Sequence, residues 1–189
     1  MKRRHWLFLM TGALAGCAVR EVGTMPVLRT PDGRELPMPA VAGNHGLVLV
    51  FVSVDCPIAN RFLPELESLG ERFAPEGLPV ACVYASPFES DGQVLAHRRE
   101  YALRLPAFRD PGFRLAHRYG ATVTPEAVLL RPDGSCAYRG RVNNQYTAPG
   151  QGRPAPTRHD LAEAMREFLD HGIPGQRLVP AVGCRFRNP

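Results

Sequence analysis

An apolar run that leads directly into a cysteine is the feature that most constrains how this chain folds. Residues 47–54 are almost all β-branched, leucine or phenylalanine and are bounded by Gly46 and Asp55, a pattern typical of a strand buried on both faces. Proline suits the first turn of a helix, and Pro57 directly follows Cys56. The apolar residues beyond it recur at helical spacing: Ile58, Phe62, Leu66, Leu69 and Phe73. The sequence therefore predicts a central strand, a cysteine and a helix in direct succession.

Further strands and helices alternate along the rest of the chain. Apolar patterning predicts strands at 79–85, 126–130 and 136–142, and helices at about 91–103, 113–119 and 157–171. Ser90 or Asp91 caps the first of these helices, and Thr157 caps the last with Asp160 as its partner. Strand–helix–strand alternation implies parallel pairing, whereas Asp133-Gly134 predicts an antiparallel hairpin. We therefore predict an α/β fold with a central mixed sheet flanked by helices.

The N-terminal residues resemble a bacterial lipoprotein signal. A basic start is followed by an apolar run, residues 6–14, that is too short to span a bilayer but suits a secretory signal. Leu14-Ala15-Gly16-Cys17 resembles a lipobox, in which the cysteine carries the lipid. This resemblance implies a signal peptide at 1–16, a lipid-anchored tether at 17–29 and a location in the cell envelope, facing the periplasm or the exterior. The alternative is an ordinary cleaved signal with Cys17 as an incidental thiol.

The basic charge of the chain comes mainly from this segment. Removing residues 1–16 removes Lys2, Arg3 and Arg4 and no acidic residue, so the formal charge falls from +5 to +2. Arg139 and Arg141 alternate on a predicted strand without interleaved aromatic residues, so we expect no nucleic-acid partner. The six histidines show no paired ligand spacing with a cysteine, so we expect no metal and no other cofactor.

The remaining chain divides into a main domain, residues 30–171, and an irregular C-terminal tail, residues 172–189, that carries Cys184.

The order of elements resembles that of the thioredoxin-like fold. Four segments, VDCPIANRF at 54–62, GATVTPE at 120–126, YRGRV at 138–142 and VGC at 182–184, resemble redoxins of the alkyl hydroperoxide reductase/thiol-specific antioxidant (AhpC/TSA) type. The resemblance implies a cis peptide bond before Pro125 that faces Cys56. We also predict a site lined by Ser53, Pro57, Asn60, Thr124 and Pro125. The alternatives are that Asn60 only takes part in the first turn of the helix and that Thr124-Pro125 is a simple loop turn.

Cys56 is the predicted reactive residue. Amide groups and the dipole at a helix N-terminus stabilise a thiolate and lower the pKa of its cysteine. A thiolate attacks either a disulfide or a peroxide, so its position alone does not distinguish these reactions. The usual second cysteine of thioredoxins is Ala59 here, and that of Sco-type copper chaperones is Asn60. In the peroxiredoxin motif, Ser53 matches, but Leu49 stands where the motif has proline.

The second thiol must therefore come from elsewhere in the chain. Cys82 and Cys136 lie on strands on opposite sides of the central strand, so we expect them to be too far apart to pair. We expect Cys82 to be a buried apolar residue and Cys136 to be an exposed or half-exposed thiol. Cys184 lies in a tail that is able to fold back over the site, and we predict that it pairs with Cys56. That pair is either catalytic, with Cys184 as the resolving thiol, or a permanent structural disulfide.

These features together predict an exported, lipid-anchored redoxin. Its reaction is thiol–disulfide exchange or peroxide reduction through Cys56, and its partners are a disulfide or peroxide substrate and a thiol protein that reduces it. The alternative is a non-enzymatic module of the same fold that binds a partner protein or copper and keeps a structural Cys56–Cys184 disulfide.

Overall fold

The computed structural model describes residues 25–186. The predicted signal peptide, Cys17 and all but the last residues of the predicted tether lie outside the described residues, and so does the end of the tail. Of the helices within residues 25–186, none is long and apolar enough to cross a membrane.

An eight-stranded mixed sheet organises the chain, in the order β11-β8-β7-β3-β4-β5-β1-β2. Its strands are β1 Val27–Arg29, β2 Glu35–Pro37, β3 Leu47–Val52, β4 Val80–Tyr84, β5 Ala107–Arg109, β7 Glu126–Leu130, β8 Cys136–Gly140 and β11 Leu178–Val179. Two small antiparallel pairs lie beside it, β6 Val123–Thr124 with β12 Cys184–Arg185, and β9 Tyr146–Ala148 with β10 Gln151–Gly152. The helices are α1 Pro57–Phe73, α2 Asp91–Glu100, α3 Arg114–Tyr119 and α4 Asp160–His171.

The central position of β3 is confirmed. It pairs parallel to β4 and antiparallel to β7, and all six of its residues are buried. Successive side chains of a strand point to opposite faces, so Val48, Val50 and Val52 pack with the buried residues of α1 and α4. The alternate residues, such as Phe51, pack with those of α3 on the other face. The predicted hairpin is also present, because β7 and β8 pair antiparallel.

The predicted start of the last helix is wrong. That helix begins at Asp160, and its N-cap is His159 rather than Thr157. The Thr157 hydroxyl instead accepts a hydrogen bond from the side chain of Asn144 at 2.8 Å, which ties the preceding loop to the helix. Asp160 is not a capping partner either, because its carboxylate forms a two-point ion pair with Arg141 at 2.7 and 3.1 Å.

The C-terminal tail is more ordered than its sequence predicts. β11 adds to the sheet edge parallel to β8, and β12 then pairs antiparallel with β6. Strands of two residues carry no periodicity that a sequence pattern can reveal. The tail therefore runs back across the molecule to the C-terminal end of β3, where Cys56 lies.

Candidate functional site

Cys56 lies between the end of β3 and the start of α1, as predicted. It is the N-cap residue of α1, and its sulfur accepts a hydrogen bond from the Ala59 N–H at 3.4 Å. Pro57 occupies the first helical position, where its lack of an N–H group costs no helix hydrogen bond. The side chain of Cys56 is almost completely buried. The turn into the helix thus holds one thiol in a fixed position.

The tail brings Cys184 to this thiol. In the antiparallel pair of β12 with β6, Cys184 lies opposite Thr124, and the Cys56 thiol donates a hydrogen bond to the Thr124 carbonyl at 3.1 Å. The two sulfur atoms are 2.7 Å apart. The peptide bond between Thr124 and Pro125 is cis, as the resemblance implied. The structure therefore places together the two cysteines and the Thr124-Pro125 segment that the sequence singled out.

Burial and hydrogen bonding have opposite effects on the acidity of Cys56. Burial alone raises its pKa, because a thiolate loses solvation. Hydrogen bonding with Cys184, with Thr124 and with the Ala59 N–H outweighs this effect and holds the pKa of Cys56 below its ordinary value. The contact with Cys184 is the largest of these stabilising interactions. The Cys184 thiol thus favours ionisation of Cys56.

Glu89 is a site residue that the sequence analysis missed. Its Oε1 atom accepts hydrogen bonds from the Ser53 hydroxyl at 2.6 Å and from the Val54 N–H at 2.8 Å. Its Oε2 atom is buried without a hydrogen-bond partner and lies 3.6 Å from the Arg109 guanidinium. Burial raises the pKa of Glu89 despite these hydrogen bonds and the charge of Arg109. Glu89 follows the parallel strand β4, at the end of the sheet where α/β proteins bind ligands. This position was the one sign in the sequence that Glu89 lies near the site.

A small recess of about 110 Å³ connects these groups. Its lining includes both cysteines and Glu89, and two aromatic residues, Phe88 and Phe186, contribute to its wall. Ser53 and Thr124 also line it. Phe88 is 62% exposed. The recess offers room for a small group or for one side chain next to the sulfur pair.

Asn60 does not belong to this recess. Its Nδ2 donates to the Val54 carbonyl at 3.1 Å, and its Oδ1 is 3.0 Å from His97 Nε2. His97 Nδ1 is in turn 2.9 Å from the Tyr84 hydroxyl. Asn60 therefore tethers the segment that precedes Cys56 to the buried side of α2.

The two other described cysteines are remote from the chemistry. Cys82 is buried as predicted, and burial raises its pKa to about 12. The prediction of an exposed or half-exposed thiol at Cys136 is wrong, because this residue is buried and disulfide-bonded. Its side chain lies in the apolar cluster that α3 covers, where the start of β8 is shielded from solvent.

Comparison with known proteins shows the family of the chain. The AhpC/TSA family model matches residues 24–139. The thiol-disulfide oxidoreductase ResA of Halalkalibacterium halodurans is 27% identical over 108 residues, which are 57% of this chain and 60% of ResA. The match thus spans less than two thirds of that relative.

Solved structures show the same fold. A hypothetical protein of Sinorhizobium meliloti aligns with a TM-score of 0.75 at 24% identity, over 90% of this chain and 97% of that one. The exposed lipoprotein thioredoxin Etrx1 of Streptococcus pneumoniae aligns with a TM-score of 0.53 at 19% identity, over 60% of this chain and 86% of that one. The fold is thioredoxin-like, as predicted.

Alkylation of the reduced full-length protein with iodoacetamide tests the acidity of the site. At neutral pH we expect Cys56 to react well before Cys82, which should stay unmodified until the protein is denatured, because the two pKa values shift in opposite directions. Replacing the neighbouring thiol, Cys184→Ala, removes the main hydrogen bond to the Cys56 thiolate, so the midpoint of its alkylation against pH moves upward. Mass mapping of the labelled peptides measures both effects. Equal labelling of Cys56 and Cys82, or an unchanged midpoint, contradicts the assignment.

Proposed function

Because the chain belongs to the AhpC/TSA family, we propose that it is a thiol–disulfide oxidoreductase with Cys56 as the attacking thiol and Cys184 as the resolving thiol. The observation that supports this proposal most is the 2.7 Å contact between the two sulfur atoms. Cys184 supplies the second thiol that Ala59 and Asn60 do not. The lowered pKa of Cys56 makes it the thiolate that starts the exchange.

The proposed reaction has two steps. The Cys56 thiolate attacks one sulfur of a substrate disulfide, which breaks the substrate S–S bond, forms a mixed disulfide and releases the first substrate thiolate. Cys184, after losing its proton, attacks Cys56 Sγ and releases the second substrate thiolate. The substrate gains two electrons, and the protein is left with a Cys56–Cys184 disulfide. A partner dithiol returns it to the reduced form by the reverse exchange.

We infer that Glu89 accepts the proton of Cys184 in the second step. Once Cys56 is in the mixed disulfide, it carries no negative charge and no longer accepts a hydrogen bond from the Cys184 thiol, which must lose its proton to another acceptor. The Oε2 atom of Glu89 is a buried acceptor without a hydrogen-bond partner that lines the same recess. Burial raises its pKa, which brings the carboxylate closer in basicity to the group that it deprotonates.

The surroundings of Ser53 favour disulfide exchange over peroxide reduction. A peroxide needs a hydrogen-bond donor beside the thiolate to stabilise the oxygen that leaves. The Ser53 hydroxyl, which matches the peroxiredoxin motif, already donates to Glu89. The guanidinium of Arg109 is buried and also directed to Glu89 and Asp91. Both of these donors are thus engaged by acidic side chains rather than left free for a peroxide on Cys56.

We further propose that the protein is exported and held at the cell envelope through a lipid on Cys17. The support is the lipobox-like sequence at 14–17, together with the similarity to a structure described as an exposed lipoprotein thioredoxin. An oxidising compartment favours the Cys56–Cys184 disulfide, so turnover there requires a thiol protein as reductant. The protein is then attached to the membrane through the lipid on Cys17.

Reduction of a protein disulfide tests the proposal. Full-length protein with a dithiol reductant should reduce insulin, Cys56→Ser should abolish the activity, and Cys184→Ser should accumulate a mixed disulfide through Cys56. Cys82→Ala is the matched control, because it removes a buried thiol away from the recess, and its turnover should equal that of the wild type. Mass spectrometry of acid-quenched samples identifies the mixed disulfide.

Three outcomes contradict this mechanism. Wild-type turnover in the Cys56→Ser variant excludes Cys56 as the attacking thiol. Cys56-dependent consumption of hydrogen peroxide that exceeds disulfide reduction favours peroxidase activity. If neither reaction depends on Cys56 while its removal lowers the free energy of unfolding, the protein is a non-enzymatic module with a structural disulfide.

The role of Glu89 predicts a pH dependence. The resolution rate should rise with pH as the Glu89 carboxyl loses its proton, because only the carboxylate accepts a proton from Cys184. The Glu89→Gln variant keeps both hydrogen bonds to Oε1, but its resolution rate should no longer rise with pH. Resolution should also be about 10²-fold slower, which is the lower end of the range for general base catalysis. The first step, measured by single-turnover formation of the mixed disulfide, should change far less. An unchanged pH profile of resolution excludes this role.

A further inference from the structure

The tail covers a strand edge that a cysteine-bearing peptide needs in order to reach Cys56. Cys184 lies opposite Thr124 and Arg185 opposite Val123, and the Phe186 N–H donates to the Thr122 carbonyl at 3.3 Å. An extended peptide binds an exposed sheet edge through the same kind of main-chain hydrogen bonds. The tail therefore occupies this edge in the way that a bound peptide would.

The residue before the cysteine has little room. A Cβ atom placed on Gly183 would lie 2.0 Å from the carbonyl oxygen of Thr124, a distance that no side chain tolerates. Backbone therefore approaches backbone closely at this point. Only glycine precedes the cysteine without moving the strand away from Cys56.

The residue two positions after the cysteine enters an apolar pocket. The ring of Phe186 packs against Phe51, with ring centroids 6.0 Å apart, and against Phe113, with centroids 5.5 Å apart. Both partners belong to the buried cluster under α3. An aromatic side chain at this position thus fixes the register that places the cysteine on Cys56.

An exposed aromatic residue borders the same recess. Phe88 lines it together with Phe186, and its side chain is 62% exposed. Exposed aromatic groups beside a binding recess provide apolar contact area to a partner. Phe88 remains available to an incoming segment, whereas the pocket of Phe186 is filled by the tail.

We propose that the β6 edge and the Phe51–Phe113 pocket form a docking groove for an extended partner segment of the type glycine–cysteine–any residue–aromatic. The chain's own residues 183–186 occupy this groove in the resting state. This inference rests on the proposed role of Cys56 as the attacking thiol. The partner is thus a protein whose oxidised cysteine lies in an accessible extended segment.

The groove couples product release to resolution. The partner segment displaces the tail, and Cys56 attacks the sulfur of the partner cysteine, forms a mixed disulfide with it and releases the other partner thiolate. When the tail returns, Cys184 attacks Cys56 Sγ, and the partner cysteine leaves as a thiolate. The returning tail also displaces the partner segment from the β6 edge and from the aromatic pocket. Formation of the Cys56–Cys184 disulfide thereby expels the partner segment.

Synthetic peptides with the sequence of the tail test this groove in the full-length Cys184→Ser protein. The probe is Val-Gly-Cys-Arg-Phe with its cysteine joined to thionitrobenzoate, so that attack by Cys56 releases a coloured thiolate. Two control peptides carry serine in place of phenylalanine or valine in place of glycine. We expect the probe to react at least about tenfold faster than either control, as burial of a phenylalanine side chain implies.

A second variant distinguishes the contribution of the pocket to the reaction rate from the intrinsic reactivity of Cys56. Adding Phe186→Ala to Cys184→Ser empties the pocket, so the phenylalanine peptide should react faster still, while the serine peptide changes little. The small disulfide dithiobis(nitrobenzoate), which needs no groove, measures the intrinsic reactivity of Cys56 in both variants.

Three other outcomes contradict the proposed groove, and each has a different consequence for the role of Cys56 or for the occupant. Equal rates for all three peptides, with normal reaction of dithiobis(nitrobenzoate), exclude the groove and leave the attacking role of Cys56 intact. Absence of reaction at Cys56 with every reagent overturns the proposed function and the groove together. If a Cys56→Ser protein whose Cys184 is joined to thionitrobenzoate reacts with the Cys184→Ser protein, releasing the coloured thiolate, faster than the probe does, the occupant is the tail of a second copy.

Discussion

The site depends on the short antiparallel pairing of β12 with β6. This pairing carries Cys184 from the far end of the sequence to a sulfur–sulfur distance of 2.7 Å from Cys56. It exists because β11 first adds to the sheet edge beside β8, and because Gly183 lets the tail approach the Thr124 carbonyl. Phe186 then fixes the end of the segment against Phe51 and Phe113. Packing of the tail, rather than the spacing of two cysteines around a helix turn, creates the dithiol.

Burial has different consequences for the two ionisable groups of the recess. Cys56 loses solvation but receives enough hydrogen bonds to keep its pKa below the ordinary value. Glu89 also receives hydrogen bonds, from Ser53 and Val54, yet burial dominates and raises its pKa. In the proposed mechanism, the lowered pKa of Cys56 serves the first step, and the raised pKa of Glu89 serves the second step, in which this carboxylate accepts the proton of Cys184. In the proposed mechanism, the same small recess therefore serves both steps of the exchange.

The sequence predicted the parts of the fold that strong local patterns encode. The continuous apolar run made β3 a central strand, the Cys56-Pro57 step marked the start of α1, and the four matched segments implied the thioredoxin-like fold. The sequence did not reveal β11 and β12, because two-residue strands depend on tertiary pairing. It also missed Glu89, whose importance comes from its burial after β4 and not from any motif. Cys136 was misjudged for the same reason, since its exposure is set by packing across the sheet.

The redox equilibrium of the full-length protein shows whether Cys56 and Cys184 form one redox couple. The protein is equilibrated in thiol–disulfide buffers of graded potential, quenched with acid, alkylated and mapped by mass spectrometry. We expect Cys56 and Cys184 to pass together from two thiols to one shared disulfide, in a single reversible two-electron transition. Oxidation of either cysteine without the other, or a disulfide from Cys56 to Cys82, would contradict it.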